Sequence, residues 1–157
     1  MNNIATKLGL ILGGLLVAGQ VDAANSNAMT ISAASFQDYF NNGSFCMNGL
    51  NYGMNNQCAT DTQFIYGIPK GPSTAGYTVT LEGFHNVANV QTNFTVFSHT
   101  HDGTLLASLF NSATTSGHWS KAVTFTAAQA PASGRFTTIV TLPASFNGQL
   151  YGLTLAY

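Results

Sequence analysis

The stretch Tyr77-Thr78-Val79-Thr80-Leu81-Glu82 decides the fold, because apolar and polar side chains alternate along it residue by residue. Successive side chains of a β-strand point to opposite faces, so this pattern predicts a strand with one buried and one hydrated face. The same alternation recurs in the stretches around Trp119, Val123 and Phe125 and around Phe136, Val140 and Leu142. Abundant threonine and valine favour strands as well.

Turn signals separate these alternating stretches. They include His101-Asp102-Gly103, Thr115-Ser116-Gly117 and the run from Pro131 to Gly134. Glycine and proline at such points are typical of tight connections between short strands. No long helical periodicity is present between them. We therefore predict an all-β chain with about seven or eight strands, folded as a single antiparallel β-sandwich or jelly-roll-like domain.

The amino-terminal residues predict export. Lys7 precedes an apolar run that extends from Leu8 to Ala18, and the small-residue signal Val21-Asp22-Ala23 follows it. This order is typical of a cleaved signal peptide, and the run is shorter than the ~20 residues that a membrane span needs. We therefore predict a signal peptide at 1–23, a mature domain at 24–157 without a transmembrane segment, and a secreted, extracellular or periplasmic location. Within residues 24–35, Met29, Ile31 and Ala33 alternate with polar residues, which predicts either a weak strand or a flexible N-terminal arm.

Charge is scarce in this chain. Only 6% of the residues are charged and the net charge is −1, whereas an average soluble domain is roughly 25% charged. The absence of a basic stripe argues against nucleic acid as a partner. A weakly charged surface suits packing against other copies of the chain, against another surface protein or against uncharged sugar.

The two cysteines, Cys46 and Cys58, enclose a short loop that is rich in asparagine and glycine. In an exported chain an even number of cysteines favours a disulfide. A bridge that closes so short a loop would stabilise the domain by ~3 kcal/mol in the chain-entropy model.

Four histidines suggest a metal site. His99 and His101 are two positions apart, so on an extended strand they would point the same way, while His85 and His118 lie at strand ends. If these ends meet, the imidazoles form a site that suits copper or zinc. Histidines exposed at strand ends and turns are the alternative, and in that case no cofactor is predicted.

Glycan binding is a second hypothesis for the surface. Tyr52 and Trp119 are candidate stacking rings, and Asn48, Asn51 and Asn55 are candidate hydrogen-bonding amides. The alternation that groups Trp119 with Val123 and Phe125 equally favours packing of its ring in the core.

Catalysis has little support in the sequence. The carboxylates are scattered singly along the chain, so no acid pair is evident, and the Gly-x-Ser-x-Gly motif is absent. We therefore expect a protein that is not an enzyme.

The two ends of the mature chain, Met29-Thr30-Ile31-Ser32-Ala33 and the stretch from Leu150 to Tyr157, resemble in general plan the subunits of chaperone-usher pili. That resemblance implies strand addition, in which the arm of one subunit completes the sheet of the next. The sequence thus predicts, first, a secreted structural or adhesive subunit, fimbrial-like, that acts through self-association or partner binding. A lectin-like module for neutral glycans and an extracellular copper or zinc protein are the alternatives.

Overall fold

The computed structural model of the chain describes residues 27–38, 47–50 and 53–157. Within them, eleven strand segments and one short 3-10 turn follow one another. The strands are β1 Ala28–Ser32, β2 Gln37–Asp38, β3 Met47–Leu50, β4 Gly53–Asn56, β5 Thr62–Pro69, β6 Tyr77–His85, β7 Thr92–His99, β8 Leu105–Ala113, β9 Gly117–Phe125, β10 Arg135–Leu142 and β11 Gly148–Ala156. The 3-10 turn, Ala33–Ser35, lies between β1 and β2.

The strands form two antiparallel sheets. In sheet A the order is β3-β4-β11-β6-β9, and β1 pairs with β11 as well. In sheet B the order is β2-β5-β10-β7-β8. The predicted antiparallel β-sandwich is therefore confirmed.

The core lies between the sheets and is filled by alternate residues of each strand. In β6 the inward side chains Tyr77, Val79 and Leu81 are buried, whereas the intervening threonines are partly exposed. β10 behaves in the same way, with Phe136 and Val140 inside. The alternation of apolar and polar residues in the sequence therefore determines which face of these strands packs into the core.

The N-terminal segment is part of the sandwich. β1 pairs antiparallel with β11 of the same chain, from Ala28 opposite Ala156 to Ser32 opposite Gly152. Ile31 is buried, and Met29 packs against the core. Of the two alternatives predicted for this stretch, the structure has the strand and not the flexible arm, because the alternating apolar side chains bury against the chain's own sheet. The predicted signal peptide lies outside the described residues.

No helix in the described part of the chain is long and apolar enough to span a membrane.

Candidate functional site

The structure separates the four histidines instead of collecting them. His85 ends β6, and His118 is the second residue of β9, at the same end of sheet A. His99 is the last residue of β7 in sheet B, and Thr92, the first residue of that strand, is hydrogen-bonded to His85. The length of an extended strand places His99 about 23 Å from Thr92, and therefore at the opposite end of the sandwich from His85. Within the described ranges no three His, Cys, Asp or Glu side chains come close enough to share a metal ion. The convergent four-histidine site is therefore not assembled.

His85 is a buried structural side chain, with 1% of its surface exposed. Its Nδ1 lies 2.9 Å from the carbonyl oxygen of Thr115, which can only accept, so in the neutral ring Nδ1 carries the proton. Nε2 then accepts from the Thr92 hydroxyl at 2.8 Å. Both ring nitrogens are used, so His85 has no nitrogen left for a metal. His99 is half-buried, and His101 lies exposed in a turn.

The structure does not place the residues predicted to bind sugar together on an exposed surface. Asn51 and Tyr52 lie outside the described residues, as does Cys46, so the disulfide with Cys58 stays a prediction. Asn48 lies in β3, where its backbone pairs with that of Asn55. Asn55 is 6% exposed and Trp119 is 5% exposed. The alternative that the Trp119 ring packs inside is confirmed, and neither residue is an exposed platform.

Asn56 shows why this region is rich in asparagine. Its side-chain amide donates to the carbonyl oxygens of Thr60 and Leu142 at 3.0 Å each, and its Oδ1 accepts from the Cys58 amide at 2.9 Å. The side chain thereby ties the turn after β4 to the end of β10. Here an asparagine satisfies loop backbone rather than a ligand.

A row of aromatic rings crosses the outer face of sheet A instead. Phe84 lies opposite His118 in the register of β6 and β9, and both side chains point away from the core. Their ring centroids are 5.0 Å apart in an edge-to-face arrangement, and the centroids of the His118 and Tyr151 rings are 5.7 Å apart. Edge-to-face and tilted arrangements at such distances are favourable for aromatic pairs. The three rings therefore form a continuous aromatic surface that is partly open to solvent.

A β-bulge in β11 brings Tyr151 into this row. Leu150 pairs with Gly83 and Gly152 pairs with Glu82, so Tyr151 is the extra residue between them. Strict alternation from Leu153 and Leu155 predicts that Tyr151 faces the core. The bulge reverses that direction and places the ring on the outer face, which is a common use of bulges beside binding sites.

Polar side chains complete the concave surface next to the rings. Glu82 lies opposite Ser120 in the register, and both are exposed. The resulting depression, which we call the sheet A groove, has a volume of about 320 Å³. Its lining consists of Glu82, Gly83, His118, Trp119, Ser120 and Tyr151. The groove therefore combines an aromatic wall with a carboxylate and a hydroxyl that can bond to ligand hydroxyl groups.

No family model matches the sequence. No curated protein is significantly similar to it. Among solved structures, a family 16 carbohydrate-binding module aligns with a TM-score of 0.51 and 14% identity, over 76% of this chain and 89% of its own. A family two carbohydrate esterase from Cellvibrio japonicus aligns with a TM-score of 0.52 and 13% identity, over 83% of this chain and 34% of its own. A glycosylation-associated protein complex from Streptococcus agalactiae aligns with a TM-score of 0.51 and 10% identity, over 83% of this chain and 44% of its own. At such identities the likeness shows the fold alone: this chain is a β-sandwich of the kind that carbohydrate-binding modules use.

Proposed function

We propose that this domain is a non-enzymatic carbohydrate-binding module that holds a neutral glycan in the sheet A groove. The observation that carries the proposal is the aromatic row of Phe84, His118 and Tyr151 beside Glu82 and Ser120. A pyranose ring is apolar on its faces and carries hydroxyl groups around its edge. Rings that stack on those faces, together with a few polar groups that orient the edge, are what such a ligand requires.

The charges around the groove favour an uncharged ligand. No lysine or arginine lines it, and Glu82 is its one carboxylate. An anionic sugar would approach this carboxylate without a cationic partner, which is unfavourable. The hydroxyl groups of a neutral sugar, in contrast, can donate to Glu82 in charge-assisted hydrogen bonds.

The same lining supports binding rather than hydrolysis. Most glycosidases place two carboxyl groups on opposite sides of the bond that they cleave. A single carboxylate lines this groove. The fold that the chain shares with a carbohydrate-binding module supports the same proposal.

Assembly by strand addition has less support. The segment that would act as a donor strand, Ala28–Ser32, already pairs with β11 of its own chain. We therefore place glycan binding ahead of a structural or adhesive subunit, and we keep export from the cell as a proposal that follows from residues 1–23.

Affinity electrophoresis tests the proposal. Native gels are cast with a soluble neutral polysaccharide, namely galactomannan, mixed-linkage β-glucan or hydroxyethylcellulose, and the retardation of the protein is measured. We expect Tyr151→Ala to weaken retardation by about tenfold in apparent affinity, because an aromatic contact and its buried area together are worth roughly 1.5 kcal/mol.

Two variants serve as controls. Tyr151→Phe retains the ring and should bind like the wild type. Thr124→Ala, exposed at the far end of β9, should also leave binding intact. Wild-type protein that is retarded in none of the gels, or a Tyr151→Ala variant that binds as well as the wild type, would contradict the proposal.

A further inference from the structure

The outer face of sheet B is a second, separate surface with a composition of its own. Its central row crosses four strands in register, from Ile65 through Ile139 and Thr95 to Phe110. Phe97 lies diagonally next to Phe110 on the same face, two residue pairs away along the β7–β8 ladder. Phe110 is 63% exposed, more than any other large apolar side chain among the described residues. An apolar surface of this kind on a soluble domain usually marks a site of interaction.

Polar uncharged side chains flank this apolar row. On one side, Gln63, Thr141 and Asn93 are paired across β5, β10 and β7. Together with Thr95, Phe97, Phe110 and Ile139 they line a depression of about 330 Å³, the sheet B groove. No residue that lines this groove carries a charge. A charged ligand would lose its hydration here without gaining a partner, so the lining selects an uncharged one.

One atom of this groove lacks a hydrogen bond. The Oδ1 of Asn93 is buried and has no partner within the described part of the chain. Buried polar atoms nearly always have a partner, so the Asn93 amide is a polar group of the groove wall whose hydrogen bonds the fold does not complete. A hydroxyl group can both donate and accept, so it suits such an amide.

We propose that the sheet B groove is a second binding site for a neutral glycan chain, so that one domain can connect two polysaccharide chains. This inference rests on the proposed function of the sheet A groove. Phe97 and Phe110 supply stacking rings, Gln63, Asn93 and Thr141 supply the polar contacts, and the two grooves lie on opposite outer faces of the sandwich. A domain with two such sites binds a polymer more tightly than either site alone and cross-links it.

Gly67 is a position on this face where a large side chain can be introduced without a steric clash. It lies in the row that contains Thr137 and Phe97, and a Cβ atom added to it would meet nothing within 4 Å. Gly67→Arg therefore covers part of the face without disturbing the core. Ala128→Arg, in an exposed turn, adds the same charge elsewhere and is the matched control. Phe110→Ser tests the same surface in a second way, because it removes the exposed Phe110 ring.

The experiment combines gel retardation with the turbidity of mixtures with galactomannan, mixed-linkage β-glucan or hydroxyethylcellulose. We expect wild type and Ala128→Arg to raise the turbidity. Gly67→Arg, Phe110→Ser and Tyr151→Ala should each abolish cross-linking and weaken retardation at least fivefold, and the Gly67→Arg/Tyr151→Ala double variant should not be retarded.

Three outcomes would overturn the inference, and they differ from one another. If Gly67→Arg and Phe110→Ser match the wild type while Tyr151→Ala loses all binding, the sheet A groove is the site and the sheet B groove is not. If the wild type is retarded in no gel, the proposed function fails together with the inference. If sedimentation shows a wild-type dimer that Gly67→Arg converts to monomer, a second copy of the chain occupies the face instead of a glycan.

Discussion

At the residue scale, a glycine determines how closely the elements beneath the sheet A groove approach one another. A Cβ atom on Gly83 would overlap the carbonyl oxygen of Gln149 and the indole ring of Trp119. The absent side chain thus leaves room for the Trp119 ring beside Gly83, and the centroid of this ring lies 5.7 Å from that of His85. Glycine is required here by close packing rather than by backbone conformation.

Two glycine substitutions should therefore have opposite consequences. Gly83→Ala should lower the free energy of unfolding by about 1–3 kcal/mol, because the added methyl group has no room in a packed interior. Gly67→Ala, which points into open space, should change it by less than about 0.5 kcal/mol. Urea denaturation of both variants measures the difference, and equal midpoints would contradict the packing that we describe.

Tyr77 gives the domain a defined response to alkaline pH. Its hydroxyl group donates to the carbonyl oxygen of Gly71. Burial raises the pKa of this hydroxyl above its ordinary value of 10.0; a backbone hydrogen bond with Ser73 opposes the shift, and nearby Tyr157 adds to it. Because the folded domain holds the proton more tightly than the unfolded chain, the stabilisation is complete below pH 10.0 and is lost as the pH rises through the folded pKa.

The comparison of wild type with Tyr77→Phe isolates this effect. The variant retains the ring and should be less stable by about 1 kcal/mol at neutral pH, since it loses one hydrogen bond. That difference should shrink above pH 10.0. Urea midpoints on both sides of this pH provide the measurement, and a difference that stays constant across it would show that the hydroxyl group does not titrate as proposed.

At the scale of elements, β11 is the strand that organises sheet A. One of its edges pairs with β6, and its other edge is shared by β4 at Gln149 and Leu150 and by β1 from Gly152 onward. The bulged residue, Tyr151, lies at the junction of the two short partners. The position of the Tyr151 ring therefore depends on both β1 and β4.

Removal of residues 24–32 should expose this edge of β11. The truncated domain would lose the burial of Ile31 and present unpaired backbone groups from Gly152 to Ala156. We expect a lower melting temperature and a mass that rises with concentration, because an uncovered strand edge pairs readily with other chains. Light scattering and thermal denaturation of both forms measure these effects. A truncated domain that remains monomeric and equally stable would show that β1 contributes little to sheet A.

The sequence predicted the strands that alternate and missed strands that do not, namely β8 and the β3–β4 pair inside the asparagine-rich stretch that was interpreted as a loop. In β6, β9 and β10 one face is buried, so period-two hydrophobicity appears in the sequence itself. β8 reads Leu105-Leu106-Ala107-Ser108-Leu109-Phe110, and Leu105, Leu106 and Phe110 are all exposed, so its composition does not mark a buried face.

The candidate site was harder to predict than the fold for a related reason. His118 was singled out as a metal ligand, but its neighbours across the sheet, Phe84 and Tyr151, depend on strand register and on a bulge. Neither of these can be read from one sequence, because one extra residue shifts the alternation of the strand: Gly148 and Leu150 face the core before the bulge, and Leu153 and Leu155 face it afterwards. The asparagine-rich loop attracted attention by its composition, whereas Asn56 uses its side chain within the fold.

At the scale of the whole molecule, the low charge has a consequence for ligand binding. Glu82 is the one carboxylate in the lining of the sheet A groove, which has no lysine or arginine, and no charged side chain lines the sheet B groove. Hydroxyl, amide and aromatic contacts are not screened by salt, unlike interactions between exposed charges.

Binding to the neutral polysaccharides should therefore be nearly independent of ionic strength. We expect the apparent affinity to change by less than about twofold between about 0.05 and 0.5 M NaCl. Isothermal titration calorimetry with a soluble galactomannan measures it directly. A steep fall in affinity with salt would instead indicate that charged groups dominate recognition and would argue against a neutral ligand.

The position of β11 also affects how the domain can acquire its structure. This strand contacts β1, β4 and β6, yet a ribosome makes it after all three. While the polypeptide is still emerging, sheet A lacks its middle member, and the partners on either side have nothing to join them. Pairing between distant parts of a chain is slow to form, so sheet A is completed only after translation has passed Ala156, whereas every strand of sheet B has been made by Leu142.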